Sequence, residues 1–164
     1  KVARHLGLAY PGGPEISKAA SNTNKSSYKF PRPMIKTNCY NFSFSGLKTN
    51  VTQLINKLEL NDLIISEIAY DFENSIIDVL ITKTLKAAKE YNIENIVIAG
   101  GVSANRKLRM RCNLEKGEKK IFFPDIAYST DNGAMIAYIG WLKSSKKTED
   151  NSLEINPNPS SRFV

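Results

Sequence analysis

The sequence predicts an α/β protein in which helices cover a parallel sheet, and three observations carry that reading. The second half runs "NIVIAG", "SANRKLRMRCNL", "KKIFFP" and "STDNGAMIAYIGWLKS", an alternation of strand, helix, strand and helix. "NIVIAG" is an unbroken apolar run, as expected of a strand buried on both faces. Ahead of it, Ile65, Ile68, Phe72, Ile76, Val79 and Leu80 recur three or four apart, which predicts a long helix over residues 62–91 with one apolar face.

The elements follow in order. Residues 1–20 read as a helix end stopped by Gly7, a Pro-Gly-Gly-Pro turn, and a second short helix with Glu15 in its first turn. "SNTNKSSYK" is a polar loop, and "FPRPMI" is extended because each proline disfavours helix in the residue before it. Phe42 and Phe44 alternate as in a strand, after which Leu47, Val51, Leu54, Ile55 and Leu58 switch to helical spacing. Ser103 is expected near the start of the helix after "NIVIAG". Ser129, Thr130 or Asp131 is expected at the N-terminus of the last helix. From about residue 145 the tail is polar and proline-containing, and it is expected to be flexible; residues 1–144 form the folded part.

Composition narrows the class of function. A 164-residue chain with 41% hydrophobic and 24% charged residues can bury a core. No apolar run reaches the ~20 residues that span a bilayer, and no signal-peptide pattern opens the chain, so a cytoplasmic protein is expected. Cys39 and Cys112 have no metal-ligand spacing and read as reduced thiols. A net charge of +7 favours an anionic partner such as RNA, although a solvated basic face has the same composition. His5 is the only histidine, which leaves no two-histidine metal motif and makes a Ser–His–Asp triad improbable.

Three stretches can carry chemistry. In "AGGVSANRKLR", Gly100 and Gly101 at a strand-to-helix junction allow backbone N–H groups to approach an anion, and Asn105 can bond a ribose or base. The same glycines also fit a plain turn. In "STDNGAMIAYIG", Asp131 stands where a carboxylate either caps a helix or ligates a metal. "YPGGP" and "FSFSGLKT" combine glycines with polar donors, and turn chemistry alone accounts for them.

In combination, "YPGGPEISKAA", "FPRPM", "FSFSGLKTNV", "AGGVSANRKLR" and "STDNGAMIAYIG" resemble, in wording and order, the bacterial tRNA threonylcarbamoyladenosine transferases (the TsaD family, formerly called O-sialoglycoprotein endopeptidases). The resemblance extends to about residue 143 and corresponds to the C-terminal half of the family protein. It implies the C-terminal lobe of an actin-like, sugar-kinase-like fold with ligand held between two α/β lobes. It also implies transfer of a threonylcarbamoyl group from threonylcarbamoyl-AMP to N6 of the adenosine 3′ of the tRNA anticodon. By that resemblance Gly13, Gly100, Gly101 and Asn105 contact the adenylate, and Asp131 is a ligand to one divalent metal ion (iron, zinc or magnesium). Ser17 stands where some relatives carry an acidic residue and stays outside the assigned set.

The departures matter as much. The family's HxxxH metal ligands, and an aspartate that contacts the ligand, belong to the stretch preceding Lys1 in the family protein. The first residue is not methionine, which reads as a processed or truncated piece. One carboxylate is a poor metal site, so the chain alone is expected to bind metal weakly and to be inactive. Bacterial threonylcarbamoylation partner proteins are expected to contact mainly the N-terminal half. The alternative is a non-catalytic remnant, or a split-gene product, that binds nucleotide, tRNA or a partner protein.

Overall fold

The structure is a computed structural model that describes residues 1–145. It divides into a compact unit, Lys1–Thr130, and a second unit that begins at Asp131.

The first unit opens with α1 (Val2–His5), which Gly7 ends as predicted, and α2 (Gly12–Ala20). Pro11 sits at the N-cap of α2, so Gly12 and Gly13 form the first helical turn and do not belong to a separate turn ahead of it. Gly12 is required by packing: a Cβ there would lie 2.7 Å from Cβ of Ala3 in α1, closer than any side chain tolerates. Residues 21–29 form the expected polar loop, but it is pinned. The Asp71 carboxylate accepts from Ser26 Oγ at 2.7 Å, Ser27 N at 2.9 Å and Tyr28 N at 2.7 Å.

Two expectations fail here. "FPRPMI" is not extended throughout: residues 33–36 turn, with Met34 at φ +56°. Arg32 bonds Asp78 of the long helix at 2.9 Å, and Lys83 Nζ holds the Met34 carbonyl at 2.8 Å. Nor do Phe42 and Phe44 form a strand; among the described residues no neighbouring strand offers hydrogen bonds, and the two rings stack on each other at 6.4 Å.

α3 (Ser45–Ile55) buries Leu47, Val51 and Ile55, each four residues from the last, which is one stripe of a helix. α4 (Asp62–Glu90) is the long helix the periodicity predicted, capped by Asn61, whose side chain accepts from Ile64 N. Its 29 residues span roughly 44 Å and serve two cores. Ile68 and Phe72 join Val2, Leu6, Phe30, Leu47, Val51 and Ile55 in the first, while Ile77 and Ile81 meet Leu108 and Cys112 in the second. Of the predicted face, Ile68, Phe72 and Val79 are buried and Ile65, Ile76 and Leu80 half-buried. Glu67, Asp71, Glu73, Ser75 and Lys83 are buried as well, so α4 is covered on more than its apolar side.

β1 (Asn95–Val97) and β2 (Lys120–Phe122) pair in parallel, with Ile96 opposite Ile121 and Val97 opposite Phe122. Between them runs α5 (Arg106–Glu115), giving the predicted strand–helix–strand unit. The expectation of a fully buried strand is corrected: β1 has three residues, only Ile96 is buried, and Val97 is 72% exposed. The second unit contains α6 (Gly133–Ser145), whose first turn is capped by the Asn132 side chain accepting from Met135 N at 3.0 Å. The cap is thus Asn132, one residue beyond the predicted trio. The tail predicted to be flexible from residue 145 lies outside the described residues, apart from Ser145.

Candidate functional site

The stretch that joins β1 to α5 is built in three steps. After Val97 the chain leaves the sheet and reaches Gly100 at φ +84°, a backbone conformation that strains any residue with a Cβ. A single 3-10 turn, Gly101–Ala104, follows. Ser103 lies inside that turn, not at the start of α5, and the cap of α5 is Asn105: its Oδ1 accepts from Leu108 N at 2.8 Å. Gly100 and Gly101 are exposed, and a Cβ on Gly101 would come 3.9 Å from Cγ2 of Thr130.

Arg109 braces this turn from behind. Its Nε donates to the Ser103 carbonyl at 2.6 Å, and its Nη2 donates to the Pro124 carbonyl at 2.7 Å and to Ser129 Oγ at 3.3 Å. The guanidinium lies 4.9 Å from the centre of the Phe123 ring. One side chain therefore ties the loop after β1 to the loop after β2. The Ser103 hydroxyl is fully buried and has no hydrogen-bond partner among the described residues.

Asn105 makes further bonds across the unit. Its Nδ2 donates to Ser17 Oγ at 2.9 Å and to Glu73 Oε1 at 2.7 Å, and Ser17 Oγ donates to the same Oε1 at 2.5 Å. The other carboxylate oxygen, Oε2, lies 3.7 Å from Lys107 Nζ, and that ammonium stands 3.7 Å above the Tyr70 ring. Burial pulls the Lys107 ammonium below its ordinary pKa, while the Glu73 charge pulls the other way.

Of the predicted site residues, Gly100, Gly101 and Asn105 share one loop. Gly13 is exposed in the first turn of α2, one helical turn before Ser17, so the Ser17–Asn105 bond brings the start of α2 beside the start of α5. Asp131 is exposed, belongs to the second unit and precedes the α6 cap. Among the described residues no three His, Cys, Asp or Glu side chains come together to hold a metal ion. Asp131 alone does not make a cation site, so the residues present do not fit a complete metal centre.

Sequence reasoning missed Glu73 and Lys107, and left Ser17 aside. One signal was available: Asp71 and Glu73 interrupt an apolar helix on either side of Phe72, where a buried carboxylate demands partners.

A parallel strand that ends in a glycine turn and a capped helix defines an α/β unit whose loop lies at the strand's C-terminal end, the place where open α/β sheets bind ligands. Comparison with known proteins supplies the family. The chain belongs to the tRNA N6-adenosine threonylcarbamoyltransferase family, whose model matches residues 1–138. It is 46% identical over 161 residues to the tRNA N6-adenosine threonylcarbamoyltransferase of Thermosipho africanus, covering 96% of this chain and 49% of that protein. The proteins of the same name from Buchnera aphidicola subsp. Baizongia pistaciae and Ralstonia pickettii are 43% and 44% identical, over 96% and 87% of this chain. The chain spans about half the length of the curated relatives it matches.

Proposed function

We propose that the chain is the C-terminal, adenylate-binding half of a cytoplasmic tRNA-modifying acyltransferase with an actin-like lobe. The enzyme would move the threonylcarbamoyl group from threonylcarbamoyl-AMP to N6 of the adenosine 3′ of the anticodon. The observation that carries the reading is the family match over residues 1–138 together with an exposed glycine turn held rigid between Arg109 and Asn105.

The chemistry is acyl transfer. The lone pair of N6 attacks the carbamoyl carbon, the bond from that carbon to the phosphate oxygen breaks, and AMP leaves with the electron pair while N6 gives up a proton. Much of what a protein contributes to such a step is placement of the two reactants. On this reading the backbone at Gly100, Gly101 and Gly13 lies against the adenylate, and Asn105 orients it. Asp131 would be one of several ligands to a divalent cation, with the others supplied by the companion half. Such a cation, when bound, neutralises charge at acyl and phosphate oxygens. The excess of positive charge, +7, suits a polyanionic tRNA. Bacterial partner proteins would dock mainly on the companion half.

The described residues hold no trio of metal-binding side chains, and this favours a second reading for the chain alone: a half-enzyme that binds nucleotide without turnover. The test of the first reading is Asp131→Ala in the enzyme assembled from this chain and an N-terminal half. Transfer to tRNA is expected to fall below detection while the thermal melting of the chain is unchanged. Full retention of transfer would remove Asp131 from the metal site.

A further inference from the structure

We infer that Glu73 and Ser17 are positioning residues for Asn105, fixing which way its side-chain amide faces. The inference rests on the reading of Asn105 as an adenylate contact.

An asparagine amide has two N–H donors and one carbonyl acceptor, and a half-turn of the group exchanges them at little steric cost. Here the two ends meet opposite demands. Oδ1 accepts the backbone N–H of Leu108 at 2.8 Å. Nδ2 faces two acceptors that lie side by side, Ser17 Oγ at 2.9 Å and Glu73 Oε1 at 2.7 Å. The hydroxyl hydrogen of Ser17 is directed at Glu73 Oε1, 2.5 Å away, which turns a lone pair of Oγ toward Asn105. In the reversed amide, Oδ1 would stand against a carboxylate and Nδ2 against an N–H donor, so both ends would be repelled. Glu73 is 6% exposed, and its charge is held in place by Lys107 on the other oxygen. A charge-assisted bond of this kind is stronger than a neutral one. The loop therefore receives an asparagine whose only remaining acceptor capacity, the second lone pair of Oδ1, has a fixed direction.

The experiment is nuclear magnetic resonance on the intact 164-residue chain, read in two ways: the side-chain amide signals of Asn105, and the backbone shifts of Gly100 and Gly101 on titration with AMP. Glu73→Gln keeps an acceptor within reach and is expected to retain both distinct Asn105 amide signals and the AMP affinity. Glu73→Leu removes the acceptor and is expected to shift and broaden the Asn105 signals and to weaken AMP by about tenfold, the worth of one hydrogen bond. Glu73→Asp keeps the charge but withdraws the oxygen by one methylene, and it is expected to behave like Glu73→Leu even if that variant folds poorly. Unchanged Asn105 signals in Glu73→Leu or Glu73→Asp would overturn the positioning role. If instead those signals change while AMP perturbs neither glycine in the parent chain, or Asn105→Ala leaves the AMP shifts intact, the positioning role stands and the adenylate reading of Asn105 fails.

Discussion

Asp71 shows how one carboxylate can organise a loop whose composition is wholly polar. It is buried on α4 and accepts from Ser26 Oγ, Ser27 N and Tyr28 N, which turns "SNTNKSSYK" from a free connection into a fixed one. Asp71→Ala leaves two backbone amides without their acceptor and is expected to cost roughly 2 kcal/mol. Limited trypsin digestion checks it: cleavage after Lys25 or Lys29 should accelerate in the variant. The neighbouring Glu67 adds a second tie through Lys25 Nζ at 3.0 Å, and that pairing holds its carboxyl below the ordinary glutamate range. The two cysteines differ just as sharply. Cys39 is exposed, and a hydrogen bond with Thr37 Oγ1 at 3.4 Å lowers its thiol pKa. Cys112 is buried against Ile77, Ile81 and Leu108, and burial raises its thiol. Iodoacetamide at neutral pH should therefore label Cys39 well before Cys112, as peptide mass mapping over time would show, because the thiolate is the reactive form. Thr37→Val should slow the labelling of Cys39.

At the scale of elements, helices were more legible than strands, of which β1 and β2 were foreseen but Phe42–Phe44 was misjudged, for a physical reason. A helix satisfies its backbone internally, so periodicity along one stretch is enough to find α3, α4 and α5. A strand needs a partner. Phe42 and Phe44 have the alternation but no neighbouring strand among the described residues, whereas β1 and β2, on either side of α5, pair with each other. Cap positions slipped by one or two residues because Ser, Thr, Asp and Asn share the same capping chemistry: Asn105 served where Ser103 was expected, and Asn132 where Ser129, Thr130 or Asp131 was. The candidate site was legible at Gly100, Gly101 and Asn105, which sit in one continuous stretch. Glu73 was not, since it reaches Asn105 from 32 residues away in the chain. The helical core itself yields a direct prediction. Leu47 is fully buried in the first turn of α3 and belongs to the first core with Val51, Ile68 and Phe72. Leu47→Ala should cost roughly 2–5 kcal/mol, read as a lowered urea midpoint with an unchanged slope.

At the scale of the whole molecule, the chain is a family member that spans about half its relatives' length and carries an exposed glycine loop, without a metal-binding trio among its described residues. Two further features bear on the proposed function. Parallel sheets are ordinarily covered on both faces, yet among the described residues the sheet has two strands, and its Val97–Phe122 pair is 72% and 51% exposed. The net charge of +7, moreover, suits the polyanionic tRNA of the proposed function. The most direct test is a mixing experiment. This chain, the N-terminal half of the Thermosipho africanus relative, and the two together are each incubated with threonylcarbamoyl-AMP and unmodified tRNA, and N6-threonylcarbamoyladenosine is measured in the digested tRNA. The modified nucleoside is expected only in the mixture, and Asn105→Ala is expected to abolish it there. Modification by this chain alone at the rate of the mixture, or none from a mixture shown to associate, would contradict the proposed function.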